Sequence, residues 1–513
     1  MMTDQTTTPY SQKNLFLHRL KHPLLWVLLA CLCYWIYLIF ATQMEIQFDS
    51  IDYKNLGQML ASRGFSEFFR TGPHREPVYP LVVAVSFLLS KCIPLSQTLW
   101  LKILQVLILC SSQLLLYMLL KRLSVHRTIA CAAVCYLGFS PALVNSAFSL
   151  YSEIATYPFI LGFILLAIKA WEKIEEGNDL QTVGWSLALG LCAIVLTLTK
   201  AAFELILPLF LLSLSPRLAV LYKRGLSPKF YRGLIHWILV LMVFQAGVNF
   251  YKYFNLRANG NYVLTDRGSW ALYGNTERRV MPLTLSRFWA ALTFIPGEGV
   301  CQNLADKNAC QFWSAQKSDE IAFTKLHELE AQGISGKKLN NIFLSLSLDA
   351  FLKNPIQYAF FYFLETFKLL FWESTQIGWV TYPAWLASIF SLTLFKDGIR
   401  LLLFLLTFLA LKFWIGRLWS QRKNPLPSSE TGEQTESHLC LIVNLVVIYI
   451  LIHAFFFVLT RYALPLAPLY LVLMAAMAQK LFIPPPQNEI TEPVPIVPQR
   501  DEQPKEERKI YRP

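Results

Sequence analysis

Two carboxylates and a guanidinium group follow the first long apolar segment of the chain. Asp49 and Asp52 come directly after that segment, and Arg75 lies further along the same polar stretch. A carboxylate at a membrane surface can accept the proton of a hydroxyl group, and such a base contributes roughly 10²–10⁴-fold to a rate. Arginine binds phosphate through a bidentate fork of N–H groups. These residue types predict proton abstraction beside a bound phosphate.

Three further charged residues lie at the ends of predicted apolar segments: Glu153, Lys200 and Arg461. Glu153 has a structural alternative, since the helix dipole favours an acid in a first turn. Lys200 and Arg461 could instead be interfacial side chains whose charged ends reach water. The candidate residues are three catalytic acids, Asp49, Asp52 and Glu153, and three phosphate-binding cations, Arg75, Lys200 and Arg461.

The polar stretch after the first segment also allows structural interpretations. Asp49 could be a solvated loop acid, and Asp52 could cap or open a helix that begins near Tyr53. Arg75 could pair with neighbouring Glu76 in a surface contact worth roughly 0–1 kcal/mol.

Charged residues inside apolar segments are costly and often functional. Glu204 and Glu365 are two such residues. Lys368 follows Glu365 at a helical spacing and could neutralise it, so a structural ion pair is an equal alternative there.

The composition predicts the fold class. The 513 residues are 55% hydrophobic and only 15% charged, whereas soluble proteins carry roughly 25% charged residues. Long uncharged apolar runs are typical of membrane spans, so we predict an all-α polytopic membrane protein. Thirteen apolar segments cover residues 24–42, 78–96, 98–120, 127–147, 153–172, 184–200, 201–217, 233–253, 356–374, 380–395, 398–416, 438–459 and 463–482.

The net charge of +13 is assigned to cytoplasmic loops, because Lys and Arg set the orientation of membrane helices. Nucleic-acid binding is not expected, since no basic stripe is interleaved with exposed aromatic residues. The basic residues predicted inside are Lys121, Arg122, Arg127, Lys169, Lys173, Arg217, Lys223, Arg224, Lys229, Arg232, Arg417, Arg422 and Lys423. This orientation puts residues 43–77, 149–153 and 254–355, and Arg461, outside.

The basic loop at 121–127 is inside only if segments 78–96 and 98–120 make one net crossing. One of the two would then be re-entrant or lie along the surface, which is tolerated where protein covers the backbone. This arrangement predicts twelve spans with both termini inside, and two full crossings predict thirteen. The segment 24–42 is long enough to remain as a first span, not a cleaved signal peptide.

The predicted domains are a cytoplasmic N-terminus at 1–23, a transmembrane module at 24–253 with its acidic outer loop at 43–77, an extracytoplasmic loop of mixed structure at 254–355, C-terminal transmembrane helices at 356–482 and a disordered tail at 483–513. The turn signal at 259–262 precedes residues 263–273, which we predict as two short strands. Residues 317–329 have the pattern of an amphipathic helix. The tail is rich in proline and charge.

Two of the ten cysteines share a polar loop, whereas the other eight lie in or beside apolar runs. Cys301 and Cys310 are expected to form a disulfide if their loop faces an oxidising compartment. A metal site is a weak alternative, because no C-x-x-C pattern or nearby histidine completes a ligand set.

Five motifs in order resemble the GT-C superfamily of membrane glycosyltransferases, which includes the protein O-mannosyltransferases and the lipid A aminoarabinose transferases. They are Asp49-x-x-x-Tyr53-x-x-x-Gly57 with Pro73-x-Arg75-x-Pro77-x-Tyr79-Pro80, Ser149-Leu-Tyr-Ser-Glu153, Leu196-Thr-Leu-Thr-Lys200, Lys353-Asn-Pro355-x-x-Tyr358, and Arg461-Tyr-x-Leu-Pro465-x-x-Pro468. The resemblance spans nearly the whole chain.

The resemblance implies a GT-C-like bundle of about 12–13 helices that transfers a sugar from a polyprenyl-phosphate carrier to a hydroxyl of a protein, lipid or glycan. It also implies inversion at the anomeric carbon, with Asp49 as base or acceptor-orienting group. The cysteine pair favours a bacterial inner membrane, with the site facing the periplasm or exterior.

The chain departs from the family pattern at two points. Ser50 follows Asp49 where the aminoarabinose transferases often carry a second acid, so Asp52 could share its role. No metal-binding Asp-x-Asp is present, so a divalent metal is not supported and no cofactor is assigned. A surface-polysaccharide polymerase or ligase and a secondary transporter or flippase remain alternatives. Phosphate-loop, nucleophile-elbow and zinc-hydrolase motifs are absent from the sequence.

Overall fold

A computed structural model describes residues 23–72, 75–215, 222, 227–265, 267–373, 377–423, 430–456 and 458–483. The predicted cytoplasmic N-terminus lies outside the described residues except for Pro23, and so does the predicted disordered tail except for Ile483. Pro73 of the outer-loop motif is also outside them.

The elements of the first half are α1 (Pro23–Ala41), β1 (Gln43–Met44), α2 (Asp49–Arg70), α3 (Val78–Cys92), α4 (Gln97–Arg122), α5 (Arg127–Phe139), α6 (Pro141–Phe148), α7 (Glu153–Glu176), α8 (Asp179–Thr197), α9 (Phe203–Ser213) and α10 (Pro228–Asn259). The second half has α11 (Gly268–Val280), α12 (Leu285–Thr293), α13 (Glu298–Leu304), α14 (Lys307–Phe312), α15 (Ala315–Ala331), α16 (Gly336–Lys353), α17 (Pro355–Thr366), β2 (Val380–Thr381), α18 (Ala384–Ser391), α19 (Thr393–Lys423), α20 (Glu430–Phe455) and α21 (Ala467–Phe482). Short 3₁₀ turns cover Phe367–Leu370, Ile377–Trp379 and Thr460–Leu466.

Long apolar helices dominate this architecture. In the described part of the chain, eight helices are long and apolar enough to cross a membrane, or nine if α5 and α6, which meet at a 48° bend, form one span. Their outward faces are apolar: α1, for example, buries only Cys31, Trp35, Leu38 and Ile39. These features agree with the predicted all-α polytopic class.

The number of long helices is smaller than the twelve or thirteen predicted. The segments at 78–96 and 201–217 form the short helices α3 and α9. The segment at 356–374 ends its α-helix at Thr366, and the segment at 380–395 starts with a strand and is broken at Tyr382 and Pro383. Hydropathy alone did not reveal these breaks, because apolar residues continue across them.

The helix α3 does not reach across a membrane. Its 15 residues span roughly 22 Å, less than the hydrocarbon thickness of about 30 Å. It lies antiparallel to the start of α4, since Tyr79 donates to Gln105 at 2.6 Å and Gln97 donates to Ser86 at 2.8 Å. This arrangement agrees with one net crossing by the two segments.

The helix α7 defines two ends of the bundle. Its first residue, Glu153, accepts a hydrogen bond from Lys200, whereas Glu172, roughly 30 Å along the axis, accepts one from Arg122. Arg417 pairs with Glu436 at 2.6 Å, and Lys480 lies 3.8 Å from the same carboxylate.

Several of the basic residues predicted to be cytoplasmic therefore lie at the end opposite Glu153. Arg122 and Arg417 are two of them. Arg232 is a third, because it pairs with Asp179 at the start of α8, and the other end of α8 leads to Lys200. The chain also returns to this end at its last helix, because Gln479 accepts from the backbone N–H of His126 at 2.8 Å.

The described residues of the loop 254–355 form helices and contain no strand. The two strands predicted in 263–273 are wrong, because the helix α11 begins at Gly268. Its Gly274 packs so closely on α15 that a Cβ there would clash with the Ser318 carbonyl oxygen. Packing against α15 therefore favours a helix at α11. The amphipathic helix predicted at 317–329 is confirmed as α15.

A buried ionic cluster anchors α11. The carboxylate of Glu365 pairs with Arg278 at 2.7 Å, with Arg279 and with Lys368 at 3.1 Å. Arg279 also donates to the carbonyl oxygen of Ala454 at 2.6 Å. The predicted Glu365–Lys368 contact is therefore part of a larger cluster that ties the loop to the end of α20.

Cys301 and Cys310 are joined by a disulfide, with their Cα atoms 5.8 Å apart. The pair lies in a small satellite core with Phe312, Trp313 and Phe361. The bridge thus joins α13 to α14 inside this small core.

Candidate functional site

Asp49 is the first residue of α2, and it lies at the centre of a group of arginines. The preceding Phe48 has a positive φ of 52°, which turns the chain into the helix. The Asp49 carboxylate pairs with Arg75 through one oxygen and with Arg461 through the other, and Arg267 lies 3.7 Å away. Two of the predicted phosphate-binding cations, Arg75 and Arg461, therefore contact the predicted catalytic acid Asp49.

Asp52 lies one turn further along α2 and faces the same arginines. Its carboxylate is 3.1 Å from Arg75 and 3.4 Å from Arg267. The helix begins at Asp49 and not near Tyr53, so Asp52 does not cap it, but Asp52 is one of the two acids in its first turn.

Arg75 does not pair with its neighbour Glu76. Its guanidinium, which is buried, lies over the ring of Tyr53 at 5.2 Å and joins Asp49 to Asp52. The Glu76 carboxylate accepts a hydrogen bond from the backbone N–H of Ala201 at 2.6 Å. Glu76 therefore fixes the chain beside Lys200 instead of neutralising Arg75.

Arg461 is held by aromatic rings. Its guanidinium lies 5.1 Å from the ring centre of Tyr151, 5.4 Å from Trp379 and 5.5 Å from Tyr462. The rings of Tyr151 and Trp379 stack with their centres 4.1 Å apart. Cation–π contacts of this kind hold a guanidinium in place while its N–H groups stay available to anions.

Glu153 and Lys200 form a second ion pair beside the arginines. Their N–O distance is 3.1 Å, and only 2% of the Glu153 side chain is exposed. Burial lowers the pKa of Lys200, but Glu153 and the neighbouring Tyr53, Glu76 and Tyr462 together outweigh burial, so that pKa lies above its ordinary value. The ammonium group also lies 5.6 Å from the ring centre of Tyr462, which links the pair to Arg461.

The arginines determine the protonation of Asp49. Burial raises the pKa of its carboxyl, but the charges of Arg461, Arg75 and Arg267 outweigh burial and hold the pKa well below its usual range. A general base works best when its pKa lies near the working pH. In this arrangement Asp49 is ionised but a weak base, and its main effect is to hold the guanidinium groups together.

Four residues at or near the site were missed by the sequence analysis: Arg267, Trp379, His453 and Asp319. Arg267 was predicted at the turn between two short strands, and Trp379 lay between the predicted apolar segments 356–374 and 380–395, where it carried no signal for a site. Burial raises the pKa of Asp319, on which the charges of Arg267, Asp49 and Arg461 also act. A lone histidine in an apolar run carried no signal for His453.

The charged residues Glu204 and Lys252 pair with each other, as α9 and α10 pack together. Within the described ranges, no group of three or more His, Cys, Asp or Glu residues could hold a metal ion.

Comparison with protein-family models gave no match. A search of curated proteins also gave no significant match. The geometry of the site is therefore the basis for the functional proposal.

Proposed function

We propose that the protein is a glycosyltransferase that moves a sugar from a polyprenyl-phosphate carrier to a hydroxyl acceptor at the outer face of a membrane. The observation that carries the proposal is the convergence of four cations on carboxylates at one end of an apolar bundle. The cations are Arg75, Arg267, Arg461 and Lys200.

A lipid phosphate suits this arrangement. Arg75 and Arg461 grip opposite oxygens of the Asp49 carboxylate, and a phosphate offers the same kind of charged oxygens to the same N–H groups. The donor phosphate thus competes with Asp49 for the arginines. Exposed leucine, isoleucine and phenylalanine side chains on the surrounding helices provide the apolar contact that an isoprenoid chain needs.

Competition between the donor phosphate and Asp49 for the arginines also makes Asp49 a stronger base. When phosphate takes the guanidinium groups, Asp49 loses the charges that depress its pKa and becomes a stronger base. The acceptor oxygen attacks the anomeric carbon, the bond from that carbon to the phosphate oxygen breaks, and Asp49 takes the hydroxyl proton. Arg75 and Arg461 stabilise the leaving phosphate. Asp52, which lies beside the same arginines, is the acid that orients the acceptor.

The proposal includes an orientation of the chain in the membrane. The basic residues Arg122 and Arg417 at the opposite end are cytoplasmic, so the site faces outward. A disulfide in the outer loop suits an oxidising compartment, and we assign the protein to a bacterial inner membrane with a periplasmic site.

The test is transfer of labelled sugar by purified protein from a panel of polyprenyl-phosphate sugars to membrane-extracted acceptors. Arg461→Ala is expected to lose at least 10²-fold in rate, since it removes a ligand of the leaving group. Arg63→Ala is the control, because Arg63 is an exposed arginine of the same region that pairs only with Glu67 among the described residues. Equal rates for wild type and Arg461→Ala contradict the proposal.

A further inference from the structure

The imidazole of His453, near the end of α20, is buried without hydrogen-bond partners. Only 9% of the residue is exposed, and neither ring nitrogen bonds to any residue in the described ranges. The ring lies between Tyr449 and Tyr462, with centre-to-centre distances of 4.4 and 5.5 Å. Buried polar atoms in folded proteins are nearly always paired, so this histidine calls for a ligand.

Two further unpaired polar atoms belong to the same region. Glu153 bonds to Lys200 through Oε1, but its Oε2 is buried without a partner among the described residues, as is Nε of Arg461. The ring of Tyr462 contacts the imidazole, the adjacent Arg461, and Lys200, which pairs with Glu153.

The unpaired atoms define the chemistry of a ligand that would satisfy them. A neutral imidazole donates at one nitrogen and accepts at the other, the Glu153 oxygen accepts, and the Arg461 Nε–H donates. A phosphate dianion only accepts and cannot satisfy Glu153. Vicinal hydroxyl groups both donate and accept, and they match the mixed set.

We propose that His453, Glu153 and Arg461 form the subsite that binds the hydroxyl groups of the donor sugar. The inference rests on the proposed function, since it places the sugar beside the phosphate that Arg75 and Arg461 hold. The aromatic ring of Tyr462 forms one wall of this subsite. Because Arg461 has both a paired Nη2 and an unpaired Nε, it contacts the phosphate and the sugar together.

The test compares binding of farnesyl phosphate with binding of farnesyl phosphates that carry mannose, glucose or arabinose, by calorimetry in detergent. Wild type is expected to bind at least one glycosylated lipid more tightly than farnesyl phosphate. His453→Phe keeps an aromatic ring but removes both nitrogens, and it is expected to lower that affinity about tenfold while leaving farnesyl phosphate binding unchanged.

Two further variants separate a contact from a packing defect. His453→Gln keeps a donor and an acceptor and is expected to recover part of the sugar-dependent affinity. His236→Phe is the control, because His236 is a buried histidine bonded to Ser186 far from the site.

The outcomes distinguish the subsite from the function on which it rests. If His453→Phe weakens both kinds of lipid equally, or neither, the subsite is overturned while the phosphate site stands. If wild type binds farnesyl phosphate but gains nothing from any sugar, the subsite is also overturned. If wild type binds none of the lipids, the proposed function fails and the subsite fails with it.

Discussion

Replacing Asp49 with asparagine separates the two effects assigned to this carboxylate. The substitution keeps the shape of the side chain but removes the charge on which Arg75, Arg461 and Arg267 converge. Removing one partner of a buried ion pair costs about 3–5 kcal/mol. Since 21% of the Asp49 side chain is exposed, we expect the lower end of that range, about 3 kcal/mol of unfolding free energy.

The same change is expected to strengthen phosphate binding. Asp49→Asn frees charged donors that the carboxylate occupies, and a hydrogen bond to a charged group is worth about 1.5–3 kcal/mol. Farnesyl phosphate should therefore bind at least about tenfold more tightly and recover the lost thermal stability. Transfer should fall roughly 10²–10⁴-fold, because the base is absent.

The assays are thermal unfolding with and without farnesyl phosphate, calorimetric binding and sugar transfer, all in matched detergent preparations. The control is Glu67→Gln, which removes an acid of the same helix whose partners Arg63 and Arg70 are exposed, so it should change stability by no more than about 1 kcal/mol. Weaker phosphate binding by Asp49→Asn refutes the competition, because it shows that Asp49 only orders the arginines.

Three further predictions concern stability. The pKa of Asp49 is low in the folded protein, so its stabilising effect is complete above the unfolded carboxyl pKa of about 3.9. The effect is lost as the pH falls from that value toward the folded pKa. In acid denaturation, wild type should show this loss of unfolding free energy and Asp49→Asn should not. Cys301→Ser, or reduction of the bridge to Cys310, should lower the unfolding free energy by about 2–3 kcal/mol through loop-closure entropy, and reductant should not destabilise the serine variant further. Glu365→Gln leaves Arg278 and Arg279 buried without their carboxylate and should cost about 3–5 kcal/mol in chemical unfolding, whereas Glu320→Gln on the exposed face of α15, paired only with Lys317 among the described residues, should cost less than about 1 kcal/mol.

The individual charged residues of the candidate site could be chosen from the sequence. Asp49, Arg75, Glu153, Lys200 and Arg461 were singled out because they lie in the outer loop or at predicted outer ends of apolar segments, and because their types suit proton abstraction and phosphate binding. Their pairing was not predictable in detail: Arg75 pairs with Asp49 and Asp52, and Glu76 accepts from the backbone N–H of Ala201, because contacts between distant parts of the chain decide these partners.

The remaining features depend on packing between distant parts of the chain. Arg267 reaches Asp49 only because residues after it form α11, which packs on α15 through Gly274, whereas their β-branched and aromatic types favoured strands. Trp379 reaches Arg461 because β2 pairs with β1 next to α1. Hydropathy predicts apolar runs, and it does not register the breaks at Tyr382 and Pro383 that shorten them.

Sugar transfer from a polyprenyl-phosphate carrier is tested most directly by the release of free polyprenyl phosphate from the purified wild-type protein, measured together with transfer of the labelled sugar. We predict that the two appear in equal amounts with at least one polyprenyl-phosphate sugar, and that Asp49→Asn lowers both roughly 10²–10⁴-fold while it still binds the donor. No release and no transfer by the wild type with any donor and membrane-extracted acceptor, in a preparation that binds farnesyl phosphate, would contradict this prediction.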